Sequence, residues 1–191
     1  MTKQKFNDIN GVKNLMYPYL PMLVGATVEG KPNFITIGLV GWLCYDAVAV
    51  SLGHGQYTTP GIKESGTFSI NQPGANLVRE LDYCGIHSGR NTEKAALFEI
   101  FYGETKTAPM IAECPVNLEC RVIQILKRKV HTVFIGEVVG VYIDDAIFTE
   151  GVPDVEKLDP VFYAPRKKRG AYWKLGEYLA PAWEIGRELK P

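Results

Sequence analysis

Apolar residues fall along this chain mostly in strand-like runs, broken by glycine, proline and charged corners. Residues 22–27 and 33–40 are two such runs, separated by the turn chemistry of Glu29, Gly30 and Lys31, which predicts a β-hairpin. The second run extends over 31–42 and carries two polar residues, Asn33 and Thr36. After a connector at 42–46, residues 47–52 predict a third strand. It opens into a loop of glycines, hydroxyls and a histidine, from Gly53 through His54, Tyr57, Thr58 and Thr59 to Pro60. Residues 60–66 suit one helical turn. Period-two alternation then places Phe68 and Ile70 on one face of a strand over 67–71, with Thr67, Ser69 and Asn71 on the other.

Helical spacing over 75–83 and again over 92–100, with Thr92 near an N-cap, predicts two short helices around a loop at 85–90. Two long strands follow. In 116–126 the apolar parity flips to Ile123 and Ile125, the mark of a bulge. After a charged corner at 127–130, residues 131–143 are apolar on both faces, as in a barrel strand that also lines a subunit interface. Residues 1–16 read as a polar lead-in, a short helix or first strand. The tail carries a basic run, Arg166 to Arg169, beside Tyr172 and Trp173. So many apolar strands avoid open edges best by closing on themselves. The expected fold is mainly β (β-rich α+β): a barrel with short peripheral helices, in one domain over 1–191.

Composition narrows the function. The 191 residues can bury one sizeable core, and 46% hydrophobic with 22% charged content is ordinary for a globular protein. Lys+Arg and Asp+Glu are both 21, which lacks the basic excess of a nucleic-acid binder. No apolar run approaches the roughly 20 residues of a membrane helix, and no signal-peptide pattern opens the chain. The expectation is a cytoplasmic protein without nucleic-acid or membrane partners. Cys44, Cys84, Cys114 and Cys120 fit no zinc spacing, so no metal site is expected and the thiols read as free and mostly buried.

The strand–loop unit is the candidate ligand site. Ala47, Ala49 and Ser51 put small side chains on one strand face, which suits close packing or the approach of something flat. The hydroxyls of Thr58 and Thr59 suit a phosphate or ordinary turn capping. Ser88, Gly89, Arg90 and Asn91, followed by Lys94, suit an anion or a solvated helix start. No phosphate-loop, dinucleotide or nucleophile-elbow motif is present, so no catalytic side chain is assigned. Any redox chemistry then belongs to a cofactor.

Several segments together carry a resemblance. Tyr17-Pro-x-x-Pro21, Gly30-Lys-Pro-Asn33-x-x-Thr36, Ile62-Lys-Glu-Ser-Gly66-x-Phe-x-Ile-Asn71, Asp82-Tyr-Cys-Gly85-x-x-Ser-Gly-Arg90, the run from Ala112 to Cys120, Phe134-Ile-Gly-Glu-Val138 and Lys157-Leu-Asp-Pro160 occur in order. This resembles the flavin reductase-like, FMN-binding split-barrel family, near its flavoredoxins. The resemblance implies a six-stranded Greek-key split barrel, a homodimer and non-covalent FMN at the subunit interface. The flavin would pass electrons between NAD(P)H or a redox protein and an acceptor. An electron carrier with no nicotinamide site, and a cofactor-free binding module, are the alternatives. Carried over by resemblance, Asn33 and Thr36 meet the isoalloxazine edge. Ser51, Gly53, His54, Tyr57, Thr58 and Thr59 wrap ribityl and phosphate, and Lys94 supplies charge to the phosphate. His131 and Tyr172 lie near the ring. Leu39 stands where many relatives place a tryptophan, with Trp42 three residues on. His54 and Gln56 stand where relatives often have an arginine, so the phosphate charge is expected to rest on Lys94, helped by His54.

Overall fold

The computed structural model describes residues 17–166, 169–187 and 189; the lead-in at 1–16 and the lysines of the basic run at 167–168 lie outside the described residues. The first hairpin forms as expected, from β1 (Met22–Val28) and β2 (Lys31–Ile37). Its turn puts Glu29 at φ 51° and Gly30 at φ 76°, the left-handed pair that matches the twist of a tight hairpin.

The expected single strand over 33–40 is split. β2 stops at Ile37, and β3 (Val40–Trp42) starts after two residues. β3 pairs with β4 (Ala47–Gly53), while β2 pairs with β1. Gly38 and Leu39 thus carry the chain from one edge of the sheet to the other. A Cβ on Gly38 would meet only Tyr19, at 3.7 Å, and the Leu39 carbonyl accepts the Ser51 N–H at 3.0 Å.

The chain then forms α1 (Thr58–Ser65), β5 (Thr67–Gln72) and α2 (Val78–Ile86), the last entered through a 3-10 turn at Ala75–Leu77. The helix expected over 92–100 is reduced to a 3-10 turn, Lys94–Leu97. Glu93 rather than Thr92 occupies its cap position, with no side-chain cap. Ile100 continues into a small ribbon, β6 (Ile100–Tyr102) with β7 (Pro109–Ile111). Helical spacing over so few residues is overridden by strand pairing.

β8 (Val116–Lys127) and β9 (His131–Ile143) are the long strands, and Ile123 is the extra residue at a register shift, where the parity flips. Beyond them lie the ribbon β10 (Phe148–Thr149) with β11 (Val152–Pro153), the turn α3 (Val155–Leu158), and the hairpin β12 (Phe162–Arg166) with β13 (Arg169–Trp173).

The main sheet is antiparallel, in the order β2-β1-β5-β8-β9-β4-β3. Its outer strands are joined by two residues, so it curls into a split barrel. Val24, Ile35, Val50, Phe68 and Phe134 fill the inside. Outside, α2 covers β1 and β2 through Leu23, Phe34, Leu81 and Cys84.

The polar faces of β5 and β8 are buried as well. Thr67, Ser69, Asn71, Asn117 and Glu119 bind the strap at 104–111. Thr67 meets Thr107, Ser69 donates to the Pro109 carbonyl, and the Asn71 carbonyl accepts the Ile111 N–H. Asn117 donates to the Ile111 carbonyl at 2.8 Å. Each buried polar side chain here satisfies strap backbone or another side chain of the seam.

Candidate functional site

The end of β4 and the start of α1 form a polar pocket. Gln56 shapes the turn by accepting the Gly53 N–H at 2.9 Å, and Thr59 donates to the Gly53 carbonyl at 2.9 Å. No side chain caps α1. The Thr59 N–H is spent on the Gln56 carbonyl at 3.1 Å and Pro60 has none, so what α1 offers an anion is chiefly the positive end of the helix. Thr58 is 1% exposed. Its oxygen accepts from Asn33 Nδ2 at 2.8 Å, which leaves its own proton to be donated elsewhere.

Opposite stands Lys94, only 3% exposed. Its Nζ donates to the carbonyls of Cys84 at 3.2 Å and His87 at 3.1 Å. An ammonium has three donors, and the third N–H has no partner among the described residues. Burial pushes the Lys94 pKa below the ordinary lysine value, with Cys84 pulling the other way. A buried cation held by neutral carbonyls is completed by an anion. The pocket is about 250 Å³, and Tyr57, Thr58, Gly85, Ser88, Gly89 and Lys94 are among its walls.

Arg90 rims this pocket. Its guanidinium donates to the Gly55 carbonyl at 2.9 Å and lies 5.6 Å from the Tyr57 ring centre. Tyr57 in turn donates to Glu29 at 3.1 Å. A cation absent from positions 54 and 56 thus reaches the same loop from a distant part of the chain.

On the other side of α2 lies an apolar cleft of about 250 Å³, walled by Tyr19, Pro21, Thr36, Leu39, Tyr163 and Tyr172 together with Gly38. Tyr172 is pinned by a hydrogen bond from its hydroxyl to Asp82 at 2.8 Å and packs edge-on to Tyr163, with ring centres 5.9 Å apart. Burial, then the Asp82 carboxylate, holds the Tyr172 hydroxyl well above the ordinary tyrosine pKa. Thr36 donates to the Leu81 carbonyl. The last turns of α2 therefore join the two spaces: Leu81 and Asp82 face the cleft, Cys84 and Gly85 the polar pocket.

The sequence-predicted residues divide accordingly. Tyr57, Thr58 and Lys94 line the polar pocket, and Thr36 and Tyr172 meet in the cleft. Asn33 and Thr36 do not share a face: odd and even positions of a strand point opposite ways. Asn33 donates one amide N–H to Thr58 and acts there as a positioning residue. Gly53 and Thr59 shape the turn. Ser51 and His131 sit alongside, opposite Val133 and Gly53 respectively. His54 is held by a backbone bond to Val130 at 3.2 Å. No described hydrogen bond joins His131 to the cleft where Tyr172 stands. Sequence reasoning missed Tyr19, Asp82 and Tyr163. Only the Tyr17-Pro-x-x-Pro21 segment and the Asp82-Tyr-Cys-Gly85 motif hinted at two of them.

Residues 15–171 match the family model described as the flavin reductase like domain. The chain belongs to that family. A flavoredoxin from Methanosarcina acetivorans is 38% identical, with 98% of each chain covered and a TM-score of 0.90. The flavoredoxin of Desulfovibrio vulgaris (Miyazaki F) is 35% identical over 97% of this chain and 100% of that one, at a TM-score of 0.84. An uncharacterised protein of Archaeoglobus fulgidus is 33% identical over 153 residues, 78% of this chain and 85% of its own. The polar pocket and the tyrosine cleft meet on one helix, α2. No helix among the described residues is long and apolar enough to cross a membrane. No group of three or more His, Cys, Asp or Glu that could hold a metal occurs among them.

Proposed function

We propose that this member of the flavin reductase-like family is an FMN-dependent electron-transfer flavoprotein that takes electrons from NAD(P)H or a redox protein and passes them to an acceptor. One observation carries the reading. A polar pocket with a buried, incompletely satisfied ammonium and an apolar aromatic cleft share the C-terminal turns of α2. FMN has the same two-part chemistry, a dianionic phosphate and a flat ring. The residues fit it: Thr58, Lys94 and the open start of α1 would hold the phosphate, with Arg90 at the rim. Thr36, Leu39 and Tyr172 would bound the ring. FMN, when bound, supplies the hydride and single-electron chemistry. The chain positions it: Asn33 orients the Thr58 hydroxyl, Lys94 offsets phosphate charge, and the tyrosines limit water around the ring.

Likeness to two flavoredoxins favours a second reading within this one, a carrier that exchanges electrons with redox proteins and has no nicotinamide site. Protein purified under native conditions and titrated with FMN should show a flavin spectrum with one cofactor per chain. A colourless protein that takes up no FMN sinks both readings. Anaerobic addition of NADH and NADPH then separates them: fast bleaching identifies a reductase, and an unchanged spectrum identifies a carrier.

A further inference from the structure

The polar pocket has a second space behind it. Between the β1–β2 turn and the loop at 89–94 lies a further pocket of about 310 Å³, with Glu29, Lys31, Tyr57, Arg90, Glu93 and Lys94 among its walls. Tyr57, Gly89 and Lys94 line both spaces. The partition is thin: a Cβ on Gly89 would come within 2.6 Å of the Tyr57 ring. A single phosphate fills the inner pocket and leaves the outer one without an occupant.

The outer walls carry three cations, Lys31, Arg90 and Lys94. Lys31 is exposed at the start of β2. Arg90 spends one of its five donors on the Gly55 carbonyl. Lys94 is buried and has given two of its three donors to the carbonyls of Cys84 and His87. A buried ammonium with a donor to spare, on a wall with two more cations, calls for an anion.

Two carboxylates line the same space. Glu29 accepts the Tyr57 hydroxyl at 3.1 Å, and Glu93 stands beside Lys94. Carboxylates repel a bare anion but accept from hydroxyl groups. Cations and carboxylates on one wall therefore suit a ligand that joins a phosphate to a sugar. The volume agrees, since it lies at the small end of ordinary ligand sites and exceeds what one phosphate needs.

We propose that the outer pocket is a second binding site, for a phosphate monoester of ribose such as a nucleoside monophosphate. Lys31, Arg90 and Lys94 take the phosphate, and Glu29 and Glu93 accept from the sugar hydroxyls. Lys94 has one N–H left to give, so anions on the two sides of the partition draw on the same donor and repel one another. Each weakens the other, by the same factor in both directions. The outer site does not depend on the flavin reading; only the antagonism with FMN rests on it.

The test titrates AMP into the full chain by calorimetry, first free of flavin and then saturated with FMN. AMP should bind both forms, about fivefold more weakly in the second. Lys31 lines the outer pocket and not the inner. Lys31→Ala should weaken AMP about tenfold and leave FMN affinity unchanged. Thr58→Val, on the inner side, should weaken FMN and spare AMP. Ribose 5-phosphate should bind nearly as well as AMP, and inorganic phosphate about tenfold less tightly. AMP that FMN displaces completely, or that responds to Thr58→Val and not to Lys31→Ala, sits in the inner pocket and overturns the proposal. Inorganic phosphate that matches AMP, or a chain that binds no AMP, overturns it as well. If the chain takes up no FMN, the flavin reading fails, while the Lys31 dependence in flavin-free protein still decides the outer site.

Discussion

Two buried ionisable side chains, Lys94 and Glu119, meet burial in opposite ways. Lys94 has a depressed pKa because desolvation outweighs the opposing influence of Cys84. A phosphate reverses that imbalance, so Lys94→Met should weaken FMN binding roughly tenfold to a hundredfold, read by quenching of flavin fluorescence on titration. Affinity should also fall as pH rises through the depressed Lys94 pKa, earlier than an ordinary lysine near 10.4 would cause. Glu119 is the reverse case. Burial alone would raise its pKa, but the hydroxyl and N–H of Thr105, the N–H of Glu104 and the Tyr142 hydroxyl hold it below the ordinary carboxylate value. A folded-state pKa below the unfolded one gives stability that is complete above about pH 4.3 and is lost as pH falls through the folded value. Melting temperature followed from pH 7 down to pH 2 should show that loss. Glu119→Gln, less stable at neutral pH, should show a flatter profile.

At the scale of elements, the loop after α2 decides whether the polar pocket forms. A Cβ on Gly89 would fall on Asn33 Oδ1 and within 2.6 Å of Tyr57. Gly89→Ala should therefore cost about 1–3 kcal/mol of stability, measured by urea unfolding, and loosen FMN through the Asn33–Thr58 pair. The strands were legible in the sequence because alternation and turn residues are local signals: the Glu29-Gly30 hairpin and the bulge at Ile123 both follow from them. The split at Gly38 and Leu39 was not, since an unbroken apolar run says nothing about which neighbour each half pairs with. The short turn at Lys94–Leu97 was overestimated for the same reason, its fate being settled by the β6–β7 ribbon. In the site, the Thr58 loop and the Ser88–Lys94 cluster could be read as anion chemistry. That α2 holds them to one side and Thr36 with Tyr172 to the other depends on contacts far apart in sequence, such as Tyr172 with Asp82.

At the scale of the whole molecule, association and stability go together. If two copies of the chain associate, as the family resemblance implies, folding and association are linked, and melting temperature should rise with protein concentration. Calorimetric scans over a hundredfold range of concentration read this directly; a constant melting temperature would mean that a lone chain is already at its full stability. The split barrel also has a built-in ruler. Its two sheet edges are tied by Gly38 and Leu39, and those same two residues wall the tyrosine cleft. The gap between the edges is therefore set by the reach of a two-residue link, at most about 3.6 Å for each residue, and not only by the side chains that line it. Length at this one point governs how thick a guest the cleft admits, so lengthening the link by a residue would alter that limit while leaving every aromatic wall in place.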